Sequence, residues 1–188
     1  MARTFTGESS ATSLTSTYYM QDFYRFNRNA MKPSYRKDYH VSELSFEDSR
    51  ALKRAASKLS SFEYSGDENA DNIASSIKAF AETYNNALDS TNSKDSENYR
   101  QNRQLKALSQ KYGDDLEDLG ITFDKDGKMS VSENILKASS CDKVKEMFSK
   151  ESDYIKGIRK ISQRMNTQSY DDIYTMMTGN GGRLNITL

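Results

Sequence analysis

One cysteine, one histidine and one proline stand among the 188 residues, and neither sign of charge is in excess, with 27 basic against 27 acidic side chains. Each scarcity closes a route. The lone Cys141 leaves no partner for an internal disulfide and no multi-thiolate zinc site. The lone His40 excludes the usual two-histidine metal sites and argues against a cysteine–histidine nucleophile pair. Balanced charge removes the electrostatic case for nucleic acid or an anionic membrane as partner. No apolar run approaches the roughly 20 residues that a membrane span needs. The opening MARTFTGESSATSLTS carries one arginine and no apolar centre, unlike a Sec-type signal peptide. The pattern suits a cytosolic protein or one exported unfolded without a cleaved signal. No cofactor is implied.

Apolar residues make up 35% of the chain and charged ones 29%. That is a thin core for a compact globule, so an extended shape with narrow helix–helix seams is expected. Residues 1–44 read as a flexible arm. Its first part is Ser/Thr-rich, and the segment YYMQDFYRFNRNAMKPSYRKDYH follows, with Pro33 and seven aromatics among basic residues. Such interleaving can stack on single-stranded nucleic acid. With charge balanced overall, protein contact is the better reading, and Tyr18, Tyr19, Phe23, Tyr24, Phe26, Tyr35 and Tyr39 are the candidate interaction residues.

Helical spacing begins at Ser45, whose partner Asp48 three residues on gives a capping-box-like start. Ala51, Leu52, Ala55, Ala56, Leu59 and Phe62 form its apolar stripe, and Ser65-Gly66-Asp67 ends it. A second helix spans about 70–88, with Ile73, Ile77, Phe80, Tyr84 and Ala87 in the 4-3-4-3 spacing of a coiled-coil seam. A third, about 99–119, uses Leu105, Leu108, Tyr112, Leu116 and Leu119. A short helix at 134–140 and a long one from about Asp142 to Thr167 complete the set. The long one carries Val144, Met147, Phe148, Ile155, Ile158, Ile161 and Met165. The expected fold is mainly α: an elongated antiparallel helical bundle or coiled coil over 45–177, with a flexible tail at 178–188.

One stretch departs from this rhythm. LGITFDKDGKMSVSE (residues 119–133) alternates apolar and polar residues about an acidic turn. Read as an EF-hand loop with Gly127 at position 6, it puts Asp124, Asp126, Ser130 and Glu133 at positions 3, 5, 9 and 12. Thr122 then stands at position 1, where a carboxylate is needed, and Gly120 stops the incoming helix early. There is no second copy. These four residues are therefore a weak calcium set. A β-hairpin over about 121–131 accounts for the stretch more simply, with Asp and Gly supplying turn chemistry and Ser132 capping the next helix.

The order of these pieces resembles the C-terminal helical region of flagellar hook-associated protein 2, the filament cap. It comprises IKAFAETYNNAL (Ile77–Leu88), NRQLKALSQKYGDDLEDLG (Asn102–Gly120), the hairpin GITFDKDGKMSV, and CDKVKEMF (Cys141–Phe148) leading into a long helix. Phe80, Tyr84 and Asn85 match the F-x-x-x-Y-N signature. Gly120, Asp124, Asp126 and Gly127 match the hairpin motif. The resemblance covers about 72–173. Ser132 stands where family members often have aspartate, and cap proteins carry large domains ahead of this region that have no counterpart in this sequence. The resemblance implies a structural, exported, flagellum-associated protein that associates with flagellar components or with itself. The alternative is an intracellular helical adaptor unrelated to the flagellum.

No enzyme is expected. Asp114, Asp115, Glu117 and Asp118 cluster on one helix, and Asp114 and Asp118 share a face, but a solvated polar face explains them. Cys141 sits at a helix start, where a thiolate is favoured, yet no base accompanies it.

Overall fold

The computed structural model describes residues 14–64, 70–94 and 96–179. It is mainly helical with one small two-stranded antiparallel sheet. In chain order come α1 (Ser16–Phe23), α2 (Pro33–Arg36), α3 (Val41–Ser60), α4 (Ala70–Ser90), α5 (Tyr99–Lys111) and α6 (Gly113–Asp118). Then follow β1 (Ile121–Phe123), β2 (Met129–Val131), α7 (Glu133–Ala138), α8 (Cys141–Phe148) and α9 (Asp153–Gly179).

The expected apolar stripes are the core. Ala51, Leu52, Ala55, Ala56 and Leu59 of α3 are buried, as are Ile73, Ile77, Phe80, Tyr84 and Ala87 of α4. α3 packs most extensively against α9 and α4. Its pairing with α9 is antiparallel: Ser45 meets Ser169, the Phe46 carbonyl meets Asn166, and Lys53 meets Gln163. Phe80 stands edge-on to Phe148 of α8 and Tyr154 of α9, with ring centroids 6.1 and 6.5 Å apart, the arrangement that aromatic quadrupoles favour.

Several expected boundaries move, each for a local reason. α3 starts at Val41, not Ser45. His40 is the N-cap, accepting from the Ser42 N–H through Nδ1, while Glu43 accepts from the His40 N–H at 2.9 Å. That reciprocal pair is a capping box built on histidine. Ser45 is instead buried one turn in, where Asn98 Nδ2 donates to its hydroxyl (3.0 Å) and to that of Ser169 (2.7 Å). The helix expected over 99–119 breaks at Tyr112 and resumes as α6, with Gly113 as its first residue and acids in its first turn. The helix expected from Asp142 breaks after Phe148. Ser152 spans that break: its hydroxyl donates to the Met147 carbonyl (2.6 Å) and accepts from the Ile155 N–H (3.4 Å). α9 then runs on to Gly179, past the boundary expected at 177.

The N-terminal boundary is the largest correction. Residues 14–44 are not a flexible arm but part of the helical body, because α1 lays Tyr19, Met20 and Phe23 into the core against α4 and α3. Residues 1–13 and 180–188, with the expected arm start and tail, lie outside the described residues, as does the stop at 65–67.

The buried ring of Phe80, 1% exposed, generates a stability test. Phe80→Ala is expected to cost about 3–5 kcal/mol. Lys78→Ala, which loses an exposed pair with Glu133, is expected to cost less than about 1 kcal/mol. Denaturant melts of the two variants check this, and equal midpoints would mean that α4 does not bury this face.

Candidate interaction surface

The seven aromatics of residues 18–39 divide into two groups. Tyr19, Phe23 and Tyr24 are buried, so as interaction residues they are corrected to core residues. Tyr39 is half-buried, its hydroxyl donating to Asn27 at 2.8 Å. Tyr18, Phe26 and Tyr35 are exposed and remain surface candidates.

Tyr24 belongs to a buried polar clamp that sequence reasoning missed. Its hydroxyl donates to Asp48 Oδ1 (2.7 Å), and Asn86 Nδ2 donates back to that hydroxyl (3.1 Å). Arg36 of α2 grips the same carboxylate with both Nη atoms, each at 2.8 Å. Arg36 also donates to the Ala30 carbonyl at 2.8 Å. Asp48 is fully buried. A charge removed from water this completely is tolerated only with a bidentate partner and further donors, which the site supplies. Burial, with Asp48 beside it, pushes the Tyr24 hydroxyl well above its usual value. The hydrogen bonds and charge of Asp48 raise Arg36 despite its own desolvation. Asp48 was expected to be a capping acid, and nothing local distinguishes the two roles: its partners lie 12 and 24 residues back in the chain.

A cationic surface gathers around Phe26. Phe26 is 60% exposed, and the guanidinium carbons of Arg50, Arg54 and Arg25 stand 3.9, 4.3 and 5.2 Å from its ring centroid. Arg54 also donates to the Phe23 carbonyl. Desolvation, with Arg50 and Arg25 nearby, pushes Arg54 down to about 10. The only sign of this patch in the sequence is the run of arginines at i, i+4 in α3 beside an aromatic whose position is not local.

The hairpin forms as expected, with Ile121 opposite Val131, Thr122 opposite Ser130 and Phe123 opposite Met129. Gly120 (φ +76°) and Gly127 (φ +80°) occupy the left-handed region. A Cβ on Gly120 would also lie 2.7 Å from Ile135 Cβ, so both positions require glycine. Asp124 Oδ1 accepts from the N–H groups of Asp126 (2.8 Å) and Lys128 (2.9 Å), an Asx turn that holds its carboxyl below the usual range. Glu133 pairs instead with Lys78 at 2.6 Å, which lowers its carboxyl. Ser130 is an exposed strand residue. The weak calcium set is therefore not gathered around one point, and among the described residues no cluster of three or more His, Cys, Asp or Glu has metal-holding geometry.

Asn85 ties this hairpin to α4. Its Nδ2 donates to the Met129 carbonyl (2.9 Å), and its Oδ1 accepts from the Met129 N–H (2.8 Å). The amide thus satisfies both backbone groups of Met129 on the outer edge of β2, an edge that would otherwise offer itself to another strand. Its neighbour Tyr84 is buried, its hydroxyl pushed up to about 12 by desolvation. Of the acidic cluster, Asp114, Asp115, Glu117 and Asp118 are all exposed, and Asp118 pairs with Lys143 at 3.0 Å. Cys141 is the first residue of α8, after the N-cap Ser140.

No family model, curated protein or solved structure matches the chain. The filament-cap resemblance rests on the quoted residues alone.

Two measurements follow from these sites. Asp48→Ala leaves Arg36 unpaired and is expected to cost about 3–5 kcal/mol, with residues 14–39 becoming the first site of proteolysis. Cleavage elsewhere first would contradict the clamp. Thermal melts in millimolar calcium and in chelator are expected to coincide. A stabilisation above about 2 kcal/mol, the scale given by ligand near 100 times its Kd, would instead mean that the turn is a genuine ion site.

Proposed function

We propose that the chain is a structural assembly protein resembling the helical leg of the flagellar filament cap, acting through helix-mediated protein–protein association. On this reading the helices form an elongated antiparallel bundle with coiled-coil seams. The protein is exported to the flagellum, and its partners are flagellar components or further copies of itself. It is not an enzyme.

The observation that carries the reading is the Asn85 bracket. The resemblance consists of two separate motifs, F-x-x-x-Y-N on a helix and D-x-D-G in a turn. Here the last residue of the first holds the backbone of the strand that follows the second. A side chain that must bond a particular strand gives the two motifs a physical reason to occur together at this spacing. The final turns of α9 add support: Tyr170, Tyr174, Met176 and Met177 are exposed, a surface of amphipathic and flexible side chains of the sort enriched at protein interfaces. No described helix is long and apolar enough to cross a membrane.

Immunoblotting sheared filaments against cell lysate in the flagellated bacterium that carries the protein tests the proposal. Enrichment with the filaments is expected. Confinement to the lysate would overturn it in favour of an intracellular helical adaptor.

A further inference from the structure

Three lysines beside the hairpin are matched at close range. Lys78 meets Glu133 at 2.6 Å, and Lys128 and Lys137 meet Asp89 and Asp71 at 2.7 Å. Two places among the described residues carry a local excess of charge, and the signs are opposite. Around Phe26, three guanidinium groups crowd one exposed ring, with Lys53 beside them. Asp22 pairs with Arg25 at 3.8 Å and Glu47 with Arg50 at 3.9 Å, so the four basic groups outnumber the acids beside them. On α6, four exposed carboxylates fall within six residues, and only Asp118 has an ion-pair partner. Asp142 and Glu146 extend this acidic face along the groove between α6 and α8, where Lys143 and Lys145 offset part of the charge.

We propose that the Phe26 patch is a docking surface for the acidic α6 face of a second copy of this chain. The proposal rests on the association reading and names a surface and a partner for it. Within one copy the two places are apart. The α6 groove includes Asp153, at the start of α9, whereas the patch includes Asn166. Thirteen residues of helix separate them, or about 20 Å along the axis. α6 is also tethered directly to the hairpin. The contact therefore forms between copies. It is heterologous, since the patch of one copy meets α6 of the next, and repetition yields a ring or an open array. Phe26 supplies an apolar centre. Arg54, already partly desolvated beside the ring, gains a carboxylate neighbour at less cost than a fully hydrated cation does. Surface charges contribute modestly and are screened by salt, so the assembly is weak and ionic-strength dependent.

Sedimentation velocity of the full chain over a wide concentration range, in 0.1 M and 1 M salt, tests this. Association is expected at the lower salt, weakened about tenfold or more at the higher. Arg25→Glu with Arg50→Glu is expected to weaken it by about tenfold or more, and Asp115→Lys with Glu117→Lys by a similar factor. Arg54 is left in place because it holds the Phe23 carbonyl. Unchanged thermal melts establish that both variants fold. An equimolar mixture of the two is expected to regain association, because the intact α6 of one meets the intact patch of the other.

A wild-type chain that stays monomeric throughout overturns the proposal, and so does monomeric protein whose patch binds a single-stranded oligonucleotide. Association that survives both reversals overturns this surface while leaving the assembly reading intact. Absence from filaments defeats the flagellar reading whatever the sedimentation shows.

Discussion

Asp48 is the constraint on which the N-terminal third of the described fold depends. A fully buried carboxylate on α3 must find donors, and it takes them from Tyr24 and from both arms of Arg36. Those partners belong to the segment that would otherwise be a polar, aromatic-rich strand of chain. Holding them fixes α1 and α2 over α3 and α4, and with them the buried rings of Tyr19 and Phe23. The same docking brings Phe26 beside Arg50 and Arg54. Removing a charge from water is costly, and the cost falls to a tolerable level only where every lone pair is satisfied. That requirement makes the clamp specific as well as stabilising.

A second set of directed polar contacts operates from the residue of α4 neighbouring Asn86. Asn85 brackets Met129, and the Asx turn at Asp124 closes the hairpin from within. A two-stranded sheet this short is marginal alone. It persists because one edge is bonded by a helix side chain and because Ile121 and Met129 are buried against the helices. A third set, Asn98 with Ser45 and Ser169, lies between α3, α9 and the start of α5. The core therefore combines apolar stripes, which set how much surface is buried, with a few amides and hydroxyls that set which partner each helix meets.

The charges sort in the same way. Pairs near the hairpin are closed within the chain, whereas basic groups are in excess around Phe26 and carboxylates on α6. A balanced total is compatible with strong local imbalance, and only the fold distributes the residues into separate clusters.

What the sequence by itself determined is local. The stripes of α3 and α4, the hairpin with its two obligate glycines, and the core roles of Phe80 and Tyr84 follow from helical periodicity and turn chemistry, which act over a few residues. The tertiary structure alone decided the rest. Tyr19, Phe23 and Tyr24 look like the exposed Tyr18, Phe26 and Tyr35 in composition, and the difference is what packs over them. Asp48 reads as a cap until Arg36 and Tyr24 arrive from earlier in the chain. The breaks at Tyr112 and after Phe148 interrupt apolar stripes that continue in sequence, because a stripe records only that residues are buried. Whether one straight helix or two angled ones bury them depends on surfaces contributed from dozens of residues away.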